Sequence, residues 1–178
     1  MRAHHHNAEC GCLAALSRRG FFGLGAGAAM AAAAGPALAL DKGYEAMLLK
    51  CIDPRFTTNT WSYMAARGWQ NLYSQFNIAG GPIGVVAPKF ADWHKTFWDN
   101  LAISVQLHEV QRMVGITHRD CGAAAVAYGD RIKTDKAFET AMHTEALRAF
   151  RSEVAKRYPS LPVELGIMEL SGAVEVVA

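Results

Sequence analysis

Cysteine and net charge are both scarce in this chain: four cysteines and a formal charge of +2 are spread over 178 residues. Much of what little there is falls in residues 1–39, which hold Cys10, Cys12, His4, His5 and His6. They also hold Arg2, Arg18 and Arg19 against a single Glu9, so residues 40–178 carry fifteen basic and fifteen acidic side chains. A neutral domain lacks the electrostatic footprint that phosphate binding requires, which excludes nucleic acid as a partner. No Lys-Ser/Thr pair follows Gly80, Gly81 and Gly84, which excludes a phosphate loop. The 139 residues from Leu40 onward suffice for one compact core and are too few for two domains of ordinary size.

The first 39 residues have the composition of an export leader. Ser17-Arg18-Arg19-Gly20-Phe21-Phe22 places a twin-arginine pair before two aromatics, and Gly23 to Ala34 is apolar and uncharged. Ala37-Leu38-Ala39 offers the small-x-small cleavage pattern just after Pro36, which ends any helix there. The pattern resembles a Tat (twin-arginine) signal, the route that carries already folded proteins. The expectation is therefore a signal peptide over residues 1–39, a periplasmic mature domain over 40–178, and no stable membrane insertion once the signal is removed. An uncleaved anchor is the alternative, because Phe21 to Leu40 runs twenty residues without charge. Gly23, Gly25, Gly27 and Gly35-Pro36 weaken that alternative.

Only Cys51 and Cys121 remain as thiols beyond the leader, and each sits among groups of other chemistry. Cys51-Ile52-Asp53-Pro54-Arg55 adds a carboxylate and a guanidinium; His118-Arg119-Asp120-Cys121-Gly122 adds an imidazole. Zinc takes thiolate and imidazole readily, and a catalytic site keeps three protein ligands with a fourth position open. A disulfide between the two cysteines is the competing reading for an exported protein. It requires neither a histidine three residues before one cysteine nor an Asp/Arg pair beside the other, so local context favours the metal, with Cys51, His118 and Cys121 as ligands.

Residues two apart on a strand face one side, so Cys51, Asp53 and Arg55 are expected to line one edge as a strand runs out. Met113 to Thr117 reads as a buried strand and Gly122 to Tyr128 as the start of a helix, which puts His118 and Cys121 at a strand-to-helix turn. If the two strands are parallel neighbours, both ligand groups reach one point above their carboxyl ends. Thr57, Thr58 and Asn59 are N-cap candidates before a helix over Trp61 to Ala66, with Gly68 as its C-cap. Phe138, Met142, Ala146, Ala149 and Phe150 mark an apolar face on a helix from about Asp135 to Arg157, stopped before Pro159. Strands alternating with helices argue for an α/β fold.

With these residues assembled, the chain resembles the β-class carbonic anhydrases from about Tyr44 to Val177. That family carries Cys-x-Asp-x-Arg at the end of its first strand and His-x-x-Cys-Gly at the end of a later one, matched here in type, spacing and order. Met47 to Ile52 looks like the first strand, Leu72 to Gly81 like a loose second strand with its turn, Asp99 to Val110 like the helix before the third strand, and Val163 to Leu170 with Ala173 to Val177 like the closing hairpin. The implied fold is a mainly parallel β-sheet flanked by helices. Asn77 and Ile78 stand where many members have Arg and Asn, and the family's substrate-contacting glutamine has no secure counterpart, Gln70 and Gln75 being only nearby. The long N-terminal helices of many members have no match in the mature part.

The resemblance implies zinc as cofactor, held by Cys51, His118 and Cys121, and zinc-dependent hydration of carbon dioxide to bicarbonate by attack of zinc-bound hydroxide. Arg55 would hold Asp53 as an ionised acceptor that orients the water, or Asp53 would take the fourth position in a resting form. Two thiolates and a neutral imidazole cancel the charge of zinc, so activity is expected to favour mildly alkaline pH. A homodimer or higher homo-oligomer is implied as well. A hydrolase of COS or CS2 using the same site remains open, as does a catalytically silent zinc-binding or assembly protein. His94, His108 and His143 read as surface or core histidines, and Trp61, Trp69, Trp93 and Trp98 as core or interface aromatics.

Overall fold

A computed structural model describes residues 43–178. The leader expected over residues 1–39 lies outside the described residues. Five strands form one sheet in the order β2-β1-β3-β4-β5. They are β1 (Ala46–Lys50), β2 (Tyr73–Asn77), β3 (Met113–His118), β4 (Val163–Met168) and β5 (Val174–Val176). The first four pair in parallel and β5 closes the sheet antiparallel to β4. Among the described residues, no helix is long and apolar enough to cross a membrane.

The centre of the sheet is made by its two fully buried strands. Every residue of β1 and β3 is buried, as central parallel strands covered on both faces must be. Their alternate side chains supply two separate cores. Met47 and Leu49 point into one with Phe97 and Leu101 of α3 (Ala91–His108) and with Leu147, Phe150 and Val154 of α5 (Lys136–Arg157). Ala46, Leu48, Val114 and Ile116 point into the other, with Phe56 and with Met64 of α1 (Thr57–Ala65). A third cluster wraps the two thiols, joining Cys51 and Cys121 to Ile83 of α2 (Pro82–Val86), Ala124 of α4 (Gly122–Tyr128), Ile132 and Ala146.

Strand order decides where a site can form. From β1 the chain goes to β2 on one side, and from β3 it goes to β4 on the other. The boundary between β1 and β3 is therefore the switch point of the sheet, and the gap above their carboxyl ends is left uncovered by either connection. Cys51 follows the last residue of β1, and His118 is the last residue of β3.

Three local elements differ from the sequence expectation. The strand ends at Lys50, and Pro54–Phe56 forms a 3-10 turn with Asp53 as its N-cap, accepting the Arg55 N–H at 2.9 Å. Pro54 suits the first position of such a turn, which needs no donor there. Arg55 therefore reaches Asp53 across one turn rather than along an extended edge. The next helix begins at Thr57 itself, with Phe56 as its N-cap and no side-chain cap bond, although Gly68 takes the expected left-handed conformation at φ +76°. The buried stripe of α5 runs through Glu139, His143, Ala146, Leu147, Phe150 and Val154, whereas Ala149 faces solvent. That stripe admits Glu139 because Arg119 meets it from the loop after β3, whereas the ring of His143 is buried without a hydrogen-bond partner in the protein.

Candidate metal centre

Three ligand atoms converge at the switch point. The sulfurs of Cys51 and Cys121 and a ring nitrogen of His118 all lie within 4.8 Å of one another, and all three residues are buried. Both cysteines are free thiols, so the disulfide alternative is not the state seen. The placement follows from the strands: β1 delivers Cys51, β3 delivers His118, and Cys121 is the N-cap residue of α4.

The imidazole is set for a ligand. His118 Nδ1 lies 2.8 Å from the Arg119 carbonyl, to which it can only donate, so Nε2 is the lone-pair nitrogen. Nε2 is buried and has no hydrogen-bond partner in the protein. A buried acceptor without a partner costs roughly 1–3 kcal/mol, and a metal ion between it and the two sulfurs removes that cost. Phe56 packs its ring 4.2 Å from that of His118, closing one flank against water.

The sulfurs divide their charge unequally. Cys51 is driven down as a thiolate because the Cys121 thiol donates to it, with further help from the Gly80 N–H at 3.2 Å. Cys121 is pushed up by that neighbouring charge and by burial, against the pull of the Ala123 and Ala124 N–H groups that open α4. A divalent cation would neutralise both sulfurs together. A donor set of two thiolates and an imidazole fits zinc.

Asp53 and Arg55 stand beside this cluster. The guanidinium grips both carboxylate oxygens, with Nη2 to Oδ2 at 2.7 Å and Nε to each oxygen at 3.1 Å. That grip holds the Asp53 carboxyl down at about 2, below the usual range. Asp53 Oδ2 lies 4.0 Å from His118 Nε2. Thus the structure brings all five residues singled out from sequence into one place.

Other participants carried little sequence signal. Arg55 also bonds Asp120, through Nη1 to Oδ2 at 2.8 Å and Nη2 to the carbonyl at 3.0 Å. Asp120 adopts φ +55°, a conformation that aspartate tolerates better than most residues. Gly80 and Gly81 turn the chain beneath Cys51 with φ +80° and +56°. A Cβ on Gly81 would lie 2.9 Å from the Ile116 carbonyl oxygen and 3.1 Å from the Cys51 nitrogen, so only glycine passes between β1 and β3 there. Two glycines in sequence hint at such a turn, but not at which sulfur it serves. Of the other histidines among the described residues, His108 pairs with Ser74 Oγ at 2.5 Å, His94 with the Ala87 carbonyl at 3.1 Å, and His143 is fully buried near Arg119 and His118.

Comparison with known proteins places the fold. No family model matches the chain. It is 30% identical over 129 residues to an uncharacterised protein of Rickettsia conorii, covering 72% of this chain and 69% of that one. A second uncharacterised protein, from Rickettsia bellii, is 29% identical over 129 residues, covering 72% and 79%. Among solved structures, the β-carbonic anhydrase CafA of Aspergillus fumigatus superposes with a TM-score of 0.55 at 18% identity, covering 80% of this chain and 79% of that one. A carbonic anhydrase from Glaciozyma antarctica gives 0.52 at 18% identity, covering 80% and 87%. A tetrameric β-carbonic anhydrase from Sordaria macrospora gives 0.51 at 16% identity, covering 80% and 85%. At these identities the likeness is one of fold: a mainly parallel sheet flanked by helices.

Proposed function

The chain belongs to one family with that protein of Rickettsia conorii, and for it we propose zinc-dependent hydration of carbon dioxide to bicarbonate. The observation that carries the proposal is the buried His118 Nε2 facing two sulfurs within 4.8 Å, with an ionised, doubly gripped Asp53 alongside. Cys51, His118 and Cys121 would hold the metal. Zinc, when bound, would supply a Lewis acid that makes a hydroxide nucleophile available at mildly alkaline pH.

The chain's own residues do the rest. Asp53, fixed by Arg55, offers an oriented acceptor for the proton of the attacking water. With its carboxyl held down at about 2, it is too weak a base to keep that proton, so its part is orientation. Arg55 keeps the carboxylate ionised and turned toward His118, and Asp120 holds the far side of the guanidinium. Phe56 and the cluster of Ile83, Ala87, Phe90 and Ala124 exclude water from the flanks, which strengthens every charge interaction inside. His143 is fully buried and His108 is tied to Ser74 of β2, so neither is placed to carry the released proton to solvent.

Stopped-flow hydration of carbon dioxide by the zinc-loaded chain tests this reading, with COS and CS2 offered in parallel. A rate above buffer with carbon dioxide supports it. No rate at mildly alkaline pH, with zinc content verified, sinks it in favour of a silent metal protein. By likeness to the tetrameric relative of Sordaria macrospora, the chain is also proposed to work as a homo-oligomer.

A further inference from the structure

The loop from His118 to Cys121 has a ligand at each end, and the two residues between them are anchored in opposite directions. Asp120 reaches out to Arg55, whereas Arg119 turns inward until it is 6% exposed. A buried guanidinium is costly unless each donor finds an acceptor. Here Nε donates to Glu169 at 3.2 Å, Nη1 to Glu139 at 3.3 Å and to Thr140 Oγ1 at 2.7 Å, and Nη2 to Glu175 at 2.9 Å. These acceptors come from α5, from the turn after β4 and from β5. Glu139 gives its other oxygen to the Asp120 N–H at 2.8 Å.

The backbone of Arg119 connects that clamp to the ligand. Its N–H donates to the Met168 carbonyl at 2.9 Å, and its own carbonyl accepts His118 Nδ1 at 2.8 Å. A ligating imidazole takes its tautomer and ring plane from the acceptor that its other nitrogen meets. Here the acceptor is a carbonyl, and its place is set by where the side chain of the same residue is tied. The geometry points to Arg119, with Glu139, as the positioning residue of the metal centre, acting through the His118 ring and the Asp120 backbone without reaching the metal. The inference rests on the metal reading above.

Arg119→Lys keeps the charge but replaces a five-donor fork with one ammonium, which cannot span Glu139, Glu169 and Glu175 together. In the full chain, zinc affinity measured by chelator competition is expected to fall about 10–100-fold. Arg112→Lys is the control. Arg112 pairs with Glu164 at 3.1 Å just before the opposite end of β3, and its replacement should leave zinc affinity unchanged. Equal affinity in Arg119→Lys and wild type, or an equal loss in Arg112→Lys, overturns the inference. Should Arg119→Lys fail to fold, Glu175→Gln loosens one arm at a half-exposed carboxylate; a severalfold loss is expected, and no loss overturns the inference.

A second readout needs no metal. In zinc-free protein the His118 Nδ1–H signal in NMR should exchange slowly with water in the wild type and faster in Arg119→Lys. Equal exchange overturns the clamp. A wild type with slow exchange that binds no zinc would sink the metal reading and leave the clamp standing.

Discussion

His143 ties the stability of the fold to pH through a charge it cannot accept. It lies on the buried stripe of α5, is 0% exposed, and neither ring nitrogen has a partner in the protein. Burial, and then the positive Arg119 and the nearby His118, push it from 6.5 down to about 4. The native state therefore keeps the ring neutral while the unfolded chain takes a proton below 6.5. Stability is complete above that pH and is lost as pH falls toward 4, because protons bind the unfolded state preferentially. With folded and unfolded values of about 4 and 6.5, the loss at about pH 5 is about 2 kcal/mol. Urea denaturation of zinc-free protein at about pH 7.5 and about pH 5 measures it, with His143→Met as comparison. The carboxylates titrate alike in both proteins, so the drop in the variant should be smaller by about 2 kcal/mol. Equal drops in the two proteins would refute the reasoning.

Two other outcomes follow from the same geometry, and a third from the sequence of the leader. Gly81→Ala places a methyl against the backbone of β1 and β3 at φ +56°, and should cost about 2–4 kcal/mol in urea denaturation while weakening zinc; a neutral substitution would show that the turn can yield. Asp53→Asn keeps the shape and removes the charge that Arg55 grips, so kcat/KM for carbon dioxide should fall about 10²-fold at unchanged zinc content, and an unaltered kcat/KM would remove Asp53 from the reaction. The twin-arginine export signal we propose for residues 1–39 is tested by replacing Arg18 and Arg19 with lysine: cell fractionation should then show export abolished, and unchanged export would exclude the twin-arginine route.

The meeting of Cys51, His118 and Cys121 was legible because the two motifs end the two fully buried strands, and a buried strand fixes where the residue after it lands. The orientation of Asp53 was not, since alternation along a strand predicts one edge while Pro54 in fact starts a 3-10 turn that folds Arg55 back onto the carboxylate. The face of α5 was legible at Ala146 and Phe150 and at the partly buried Phe138 and Met142, but not at Ala149, which faces solvent. Apolar periodicity cannot know that Glu139 is buried against Arg119, from the loop after β3. For α3, a start at Asp99 overlooks Ala91 to Trp98, where the turn of helix is fixed by Trp93 stacking on Phe90 at 4.6 Å. The Gly80 N–H on Cys51 and the Asp120 contact to Arg55 join residues far apart in sequence, for which no spacing rule exists.

Zinc K-edge X-ray absorption on the zinc-loaded chain tests the metal centre most directly. Two sulfurs at about 2.3 Å, one imidazole nitrogen at about 2.0–2.1 Å and one further light-atom ligand are predicted, with one sulfur lost in Cys51→Ala. A shell of nitrogen and oxygen alone, or an unaltered sulfur count in Cys51→Ala, would contradict it.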